Sequence, residues 1–343
     1  MKRNLYHIKA VLLALCVVLA IAGATLAQGG NNQQNTKPTL SKDEAKAAEP
    51  IEKATTIDAK FAAAEAFLQK YPKSTIRPQL ASHLADQVAG VKDASQKVTY
   101  GEKFFNLFTE VSEQDEVIPH LLDGYWDSKK YDEAFQLTEN FLSRHGDDVS
   151  ILAKMGIKGT NLLRQGNTKF AKQTVGYANK AIELIEADKK PANMDDATWT
   201  SYKTKYIGVL YQSSGVISMM TNNPTDARTK FEKAKTASPT DPINYYFLGF
   251  IVDSEYQVTV KAYQASQSGK QRDDLLVKAN TQIDTVIDYY ARAVAMAEGN
   301  PQYQAVGAQI RADLETYYKY RHNNSLTGLQ ELINKYKPIS LKP

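Results

Sequence analysis

The chain has 343 residues, of which 43% are hydrophobic, 23% charged and 10% aromatic, the composition of an ordinary folded protein. Its formal charge of +4 is concentrated at the start. Lys2, Arg3 and Lys9 lie in the first 27 residues, which hold no Asp or Glu, and the remainder carries 39 basic against 38 acidic side chains. That balance argues against a nucleic-acid partner, and the single cysteine, Cys16, leaves the rest of the chain without a disulfide framework or a thiol-based metal or redox site.

Residues 1–27 have the three parts of a secretory signal: a positive start at Lys2 and Arg3, a continuous apolar run from Ala10 to Ala22, and the small-residue segment Ala24-Thr25-Leu26-Ala27. Cleavage is expected after Ala27, with Ala24 as the alternative, so the chain is expected to be periplasmic or otherwise exported. Kept as an anchor, Ala10 to Ala27 would approach the roughly 20 apolar residues of a spanning helix, and membrane contact is expected only through this segment if it is uncleaved. Leu15 stands before Cys16 where a lipoprotein signal wants a small residue, which argues against lipidation. Residues 28–50 are polar, Gly/Asn/Gln-rich and then Ala/Lys/Glu-rich, and offer almost no large apolar side chains to offset the entropy of ordering. They are expected to be a disordered linker, with a frayed helix after Ser41, where Ser41 and Glu44 have capping-box spacing.

From about Ile51 the apolar period is helical to the end of the chain. Phe61, Ala64, Phe67, Leu68 and Tyr71 fall on one helix face, and Tyr71-Pro72 stops that helix because proline disfavours helix at the residue before it. Further helices are predicted near 77–90, 93–109, 114–127 and 131–145, then from Val149, from Thr168 to Ala187 and from Asp196 to about Thr221. Asn223-Pro224, Asp241-Pro242 and Asn300-Pro301 each pair an N-cap residue with proline at the first helical position, where its missing N–H costs nothing. The helix from Pro242 is predicted to reach Ala265, about 35 Å at 1.5 Å per residue. Helices near 271–298, 301–322 and 326–336 complete the chain. No segment sustains strand alternation.

Tyr211, Ser214 and Gly215 recur 34 residues later as Tyr245, Leu248 and Gly249, with Ala227, Phe231, Ala234 and Pro239 between them. This order and spacing resembles the tetratricopeptide repeat, a helix–turn–helix unit with the pattern W-x2-L-G-x2-Y, A-x3-F, P. Ile118, Leu121, Leu122 and Tyr125 with Ala134, and then Leu152, Met155, Gly156 and Gly159, occupy related positions in more divergent units. The phrase AEAFLQKYPKSTIRPQLASHLA is similar to exported envelope proteins of this kind. The resemblance implies an all-α, tetratricopeptide-like α-solenoid of antiparallel helix pairs over 51–340, with lengthened helices in the C-terminal half. It implies binding without chemistry, on a concave face built from the first helix of each unit. Carried onto this sequence, that face is Trp126, Gln212, Val216, Tyr246, Phe250 and Asp253.

No catalytic constellation competes with this reading. The histidines His7, His83, His120, His145 and His322 lack zinc spacings, so structural or surface roles are expected and no metal site is assigned. Asp147-Asp148, Asp195-Asp196 and Asp273-Asp274 sit at predicted helix starts, where carboxylates cap N–H groups rather than converge on a cleft. No nucleophile elbow, P-loop or dinucleotide fingerprint is present in the sequence. The tyrosines of 202–211, 245–246, 289–290 and 317–320 are expected mainly between helices, with some rings left to line a groove. The expected function is a non-catalytic scaffold in the bacterial cell envelope, with a protein or peptide partner, no nucleic acid and no cofactor. A glycan- or lipid-binding module using the same aromatics is the alternative, and an all-α cell-wall enzyme a third reading.

Overall fold

The computed structural model describes residues 40–337, so the signal segment and residues 28–39 of the expected linker lie outside the described residues. Those described are all-α, with no strand among them. Six helices come first: α1 (Lys42–Lys53), α2 (Ile57–Lys70), α3 (Arg77–Gly90), α4 (Ala94–Leu107), α5 (Val111–Asp127) and α6 (Tyr131–Leu142). Then follow α7 (Val149–Arg164), α8 (Ala171–Glu186), α9 (Asp196–Met220), α10 (Pro224–Ala237), α11 (Pro242–Ala265) and α12 (Lys270–Ala297). A 3-10 turn at Pro301–Tyr303, α13 (Gln304–Arg321) and α14 (Leu329–Tyr336) close the fold. Helices pack mainly with their sequence neighbours, as in a solenoid of antiparallel pairs. The chain groups into two compact units, one ending at Ile151 and the other taken up from Leu152.

The first unit opens with the helix that the Ser41 and Glu44 spacing predicts, and it extends further than the frayed end expected of a linker. Residues 42–50 are helical, not linker. The Ser41 hydroxyl accepts from the Glu44 N–H at 3.2 Å while the Glu44 carboxylate accepts from the Ser41 N–H, completing the capping box. Ile51 is buried with Phe61, Phe67, Leu80, Leu84 and Phe104, and it supplies the apolar anchor that holds α1 in place. Helix α5 begins at Val111, three residues before the predicted start. The added turn carries Glu113, whose side chain is 5% exposed and forms a 2.6 Å ion pair with Arg77 of α3. A partner distant in sequence, not the local pattern, sets that boundary.

The second unit contains the two 34-residue-spaced signatures. Gly215 of α9 faces the ring of Phe231 on α10, and a Cβ at Gly215 would lie 3.0 Å from that ring. Gly249 of α11 faces Tyr290 of α12 more closely, and a Cβ there would lie 2.5 Å from it. The signature glycine thus lets an aromatic ring of the second helix lie against the backbone of the first. Asn223, Asp241 and Asn300 accept from the N–H groups of Asp226, Ile243 and Gln302, as the Asn/Asp-Pro pairs predict. At Pro301 the outcome is a short 3-10 turn before α13 proper. Phe231, Phe247, Leu248, Ile283, Tyr290, Ile310 and Leu314 share one core.

Candidate interaction surface

The expected concave-face residues do not form one surface. Gln212, Val216 and Tyr246 are in the core, at 3%, 0% and 2% exposure. They are corrected from ligand-facing to structural positions, because helices α9 and α11 are covered on the side these residues occupy. The Gln212 amide donates to Asp241 at 2.9 Å and to Asn244 at 3.0 Å, tying α9 to the start of α11. Tyr246 packs its ring 5.3 Å from that of Tyr290 and directs its hydroxyl to Asp313 at 3.4 Å. Trp126 lies in the first unit, half-buried against Tyr131 and Phe135. Phe250 and Asp253 are half-exposed on α11.

Those last two residues border the seam along which side chains of α11 and α13 meet. Helix α12 packs against both α11 and α13, whereas α11 and α13 meet through their side chains. Tyr290 of α12 forms the floor, its ring 5.3 Å from Tyr246 on one wall and 6.0 Å from Tyr317 on the other. The Tyr317 hydroxyl donates to Asp253 at 2.5 Å, and the Gln257 amide donates to the same carboxylate at 3.1 Å. Asp313 accepts from Gln309 at 3.1 Å as well as from Tyr246. At the rim, Tyr320 is 72% exposed.

The concave-face assignment left out α13, although the tyrosines of 317–320 stood among the rings expected to line a groove. Asp313, Tyr317 and Tyr320 follow Tyr246, Phe250 and Asp253 at a separation of 67 residues, the span of the Tyr246–Asp313 bond. A period of 34 lands on α12 instead, because α11 and α12 run to 24 and 28 residues. Matching the stripe at a doubled, slightly shortened period would have found it.

Burial dominates the electrostatics. It pushes the Tyr246 and Tyr317 phenols above their ordinary value, and the Asp313 and Asp253 carboxylates beside them add to the shift. Burial likewise raises Tyr290 well above the ordinary range, with Tyr246 and Asp253 next in effect. Tyr256 is pushed up to about 12 by burial and by its hydrogen bond to Tyr320. The sign of the linkage follows. A phenol with a raised folded value contributes stability that is complete below the unfolded value of about 10 and is lost as pH rises through the folded value. Alkaline titration should therefore show a fraction of tyrosines ionising only together with loss of helical circular dichroism above about pH 10. Smooth ionisation of all tyrosines with the helices intact would refute the burial assignment.

The remaining candidates resolve into structural roles. Asp148 and Asp195 accept from the N–H groups of Ile151 and Thr198, and Asp273 lies in the first turn of α12. His145 bonds Asp115 at 2.7 Å, and His322 stacks on Tyr318 with ring centroids 3.8 Å apart. Among the described residues there is no group of three or more His, Cys, Asp or Glu side chains able to hold a metal. No described helix is long and apolar enough to cross a membrane. A cleft of about 420 Å³ lies between the end of α12 and the start of α13. Its acidic residue, Glu298, is bridged to Arg311 at 3.2 Å and to Lys337 at 2.9 Å.

No protein-family model matches the chain, and no curated protein does. A solved structure from the functional characterisation of Pseudomonas aeruginosa pilF superposes with a TM-score of 0.38 and 14% identity, covering 76% of this chain and 97% of that one. Those values lie too low to carry a shared function.

Proposed function

We propose that the chain is a non-catalytic interaction scaffold, exported to the bacterial cell envelope, that holds a protein or peptide partner along the α11–α13 groove. The observation that carries this reading is the surface over the α11–α13 seam: Phe250, Asp253 and Tyr317 are half-exposed and Tyr320 is exposed, beside the buried Tyr290. Rings fixed by a packed floor lose little side-chain entropy on binding, which favours recognition. Export rests on the signal pattern of residues 1–27. The non-catalytic reading is supported by Asp148 and Asp195, whose carboxylates are taken up as helix caps.

A photo-crosslinking amino acid at Tyr320, with Lys278 on the exposed face of α12 as the comparison site, tests the binding surface in cells. Crosslinks to protein from position 320 and not from 278 are expected. Crosslinks to envelope glycan or lipid in place of protein would overturn the reading. N-terminal sequencing of the chain recovered outside the cytoplasm should begin at Gln28, and recovery only from the cytoplasm would remove the export part.

A further inference from the structure

Resting on that reading, we propose that the groove selects a basic segment: a lysine or arginine of the partner sets its cationic head against Asp253 and its stem across Phe250, Tyr317 and Tyr320. Two independent features point to this chemistry.

The first is how Asp253 is satisfied. Its carboxylate accepts from two neutral donors, the Tyr317 hydroxyl and the Gln257 amide. Among the described residues no Lys or Arg forms an ion pair with it. Acidic residues on the same helices and around them are treated differently. Glu255 is paired with Arg228, Asp288 with Arg292, Asp284 with Arg321 and Glu298 with Arg311. A half-exposed carboxylate oriented by neutral donors, with no cation of the described residues beside it, is placed to attract an incoming one, and the neutral donors do not compete for that cation.

The second is how the rings are covered. Elsewhere the chain's own cations lie over aromatic faces: Arg272 over Tyr263 at 4.3 Å, Arg292 over Tyr336 at 4.1 Å, and Lys235 over Tyr289 at 6.0 Å. Among the described residues no Lys or Arg lies over Phe250, Tyr317 or Tyr320. Phe250 lies one turn before Asp253 on α11, Tyr317 bonds its carboxylate and Tyr320 lies one turn further along α13, so ring faces and carboxylate would attract the same ammonium or guanidinium group. An acidic or phosphorylated segment would meet Asp253 as a like charge, which the surface disfavours.

The test uses the full exported chain and fluorescein-labelled peptides of alternating arginine and glycine, with glutamate–glycine and serine–glycine peptides as comparisons. Anisotropy reads affinity, and hydroxyl-radical footprinting of Tyr320 reads occupancy of the groove. The arginine peptide is expected to bind saturably, to protect Tyr320, and to weaken with added salt. Asp253→Asn keeps both hydrogen-bonding partners and the fold, and should weaken binding at least about tenfold, whereas Asp273→Asn on the exposed start of α12 should leave it unchanged. Phe250→Ala should weaken it as well. Equal affinity for the wild type and Asp253→Asn would overturn the proposal. Protection of Tyr320 by the serine peptide as strongly as by the arginine peptide would overturn the basic partner and leave the groove as a peptide site. Failure of every peptide to protect Tyr320, together with an absence of crosslinks from position 320, would remove both.

Discussion

Replacing Phe231 with alanine should cost the second unit about 3–5 kcal/mol, the range for removing a buried phenylalanine. Phe231 is fully buried, stacks on Phe247 with ring centroids 4.7 Å apart, and fills the space left by Gly215. The removed ring leaves a cavity bounded by helix backbone on the α9 side, which relaxes poorly, so the cost belongs at the upper end of that range. The chain has two tryptophans, Trp126 in one unit and Trp199 in the other, so each unit carries its own fluorescence reporter. In urea, Phe231→Ala should move the transition seen by Trp199, read in a Trp126→Phe background. A shift below about 1 kcal/mol would mean that the 34-residue signature does not organise this core.

In the first unit, Arg77→Met should destabilise by about 3–5 kcal/mol, because it strands the buried Glu113 carboxylate without its counter-charge. Arg77 holds Glu113 at 2.6 Å and places its guanidinium 5.5 Å from the Phe108 ring centroid. The second Glu113 oxygen, Oε2, is buried without a hydrogen-bond partner, so the pair already carries an incompletely met desolvation cost. The double replacement Arg77→Met with Glu113→Leu should therefore recover most of the loss, since two apolar side chains of similar volume carry no desolvation penalty. Trp126 fluorescence in a Trp199→Phe background reads both variants. A double variant as unstable as the single one would show that the site's role is packing, not charge compensation.

The groove lies wholly in the unit taken up from Leu152, as do both clear signatures. Binding at Tyr320 should thus protect this unit in hydrogen exchange, while Trp126 reports the other independently.

Much of the secondary structure was legible in the sequence. Asp241-Pro242 sets the start of α11, and Asn223-Pro224 that of α10, because capping and proline geometry act within one turn. Helix α2 stops at Lys70, before Tyr71-Pro72. Gly215 and Gly249 were recognisable from their spacing and are the close-approach points the repeat pattern implies. The boundaries that escaped depend on distant partners: α1 needs Ile51 in the core, and the first turn of α5 needs Arg77.

The sequence by itself determined an all-helical chain, its helix starts and the glycine–aromatic contacts of its best-formed unit, because periodicity, capping and small-residue spacing are local properties of the chain. Tertiary structure alone decided which side of each helix stays open. Val216 stands 34 residues before the half-exposed Phe250, yet it lies in the core with Phe231 of α10, while the lengthened α11 and α12 displace the next first-type helix so that Asp313 meets Tyr246 and Tyr317 meets Asp253. Burial depends on what packs against a residue from elsewhere in the chain, and a change in helix length alters that partner without disturbing any local signal.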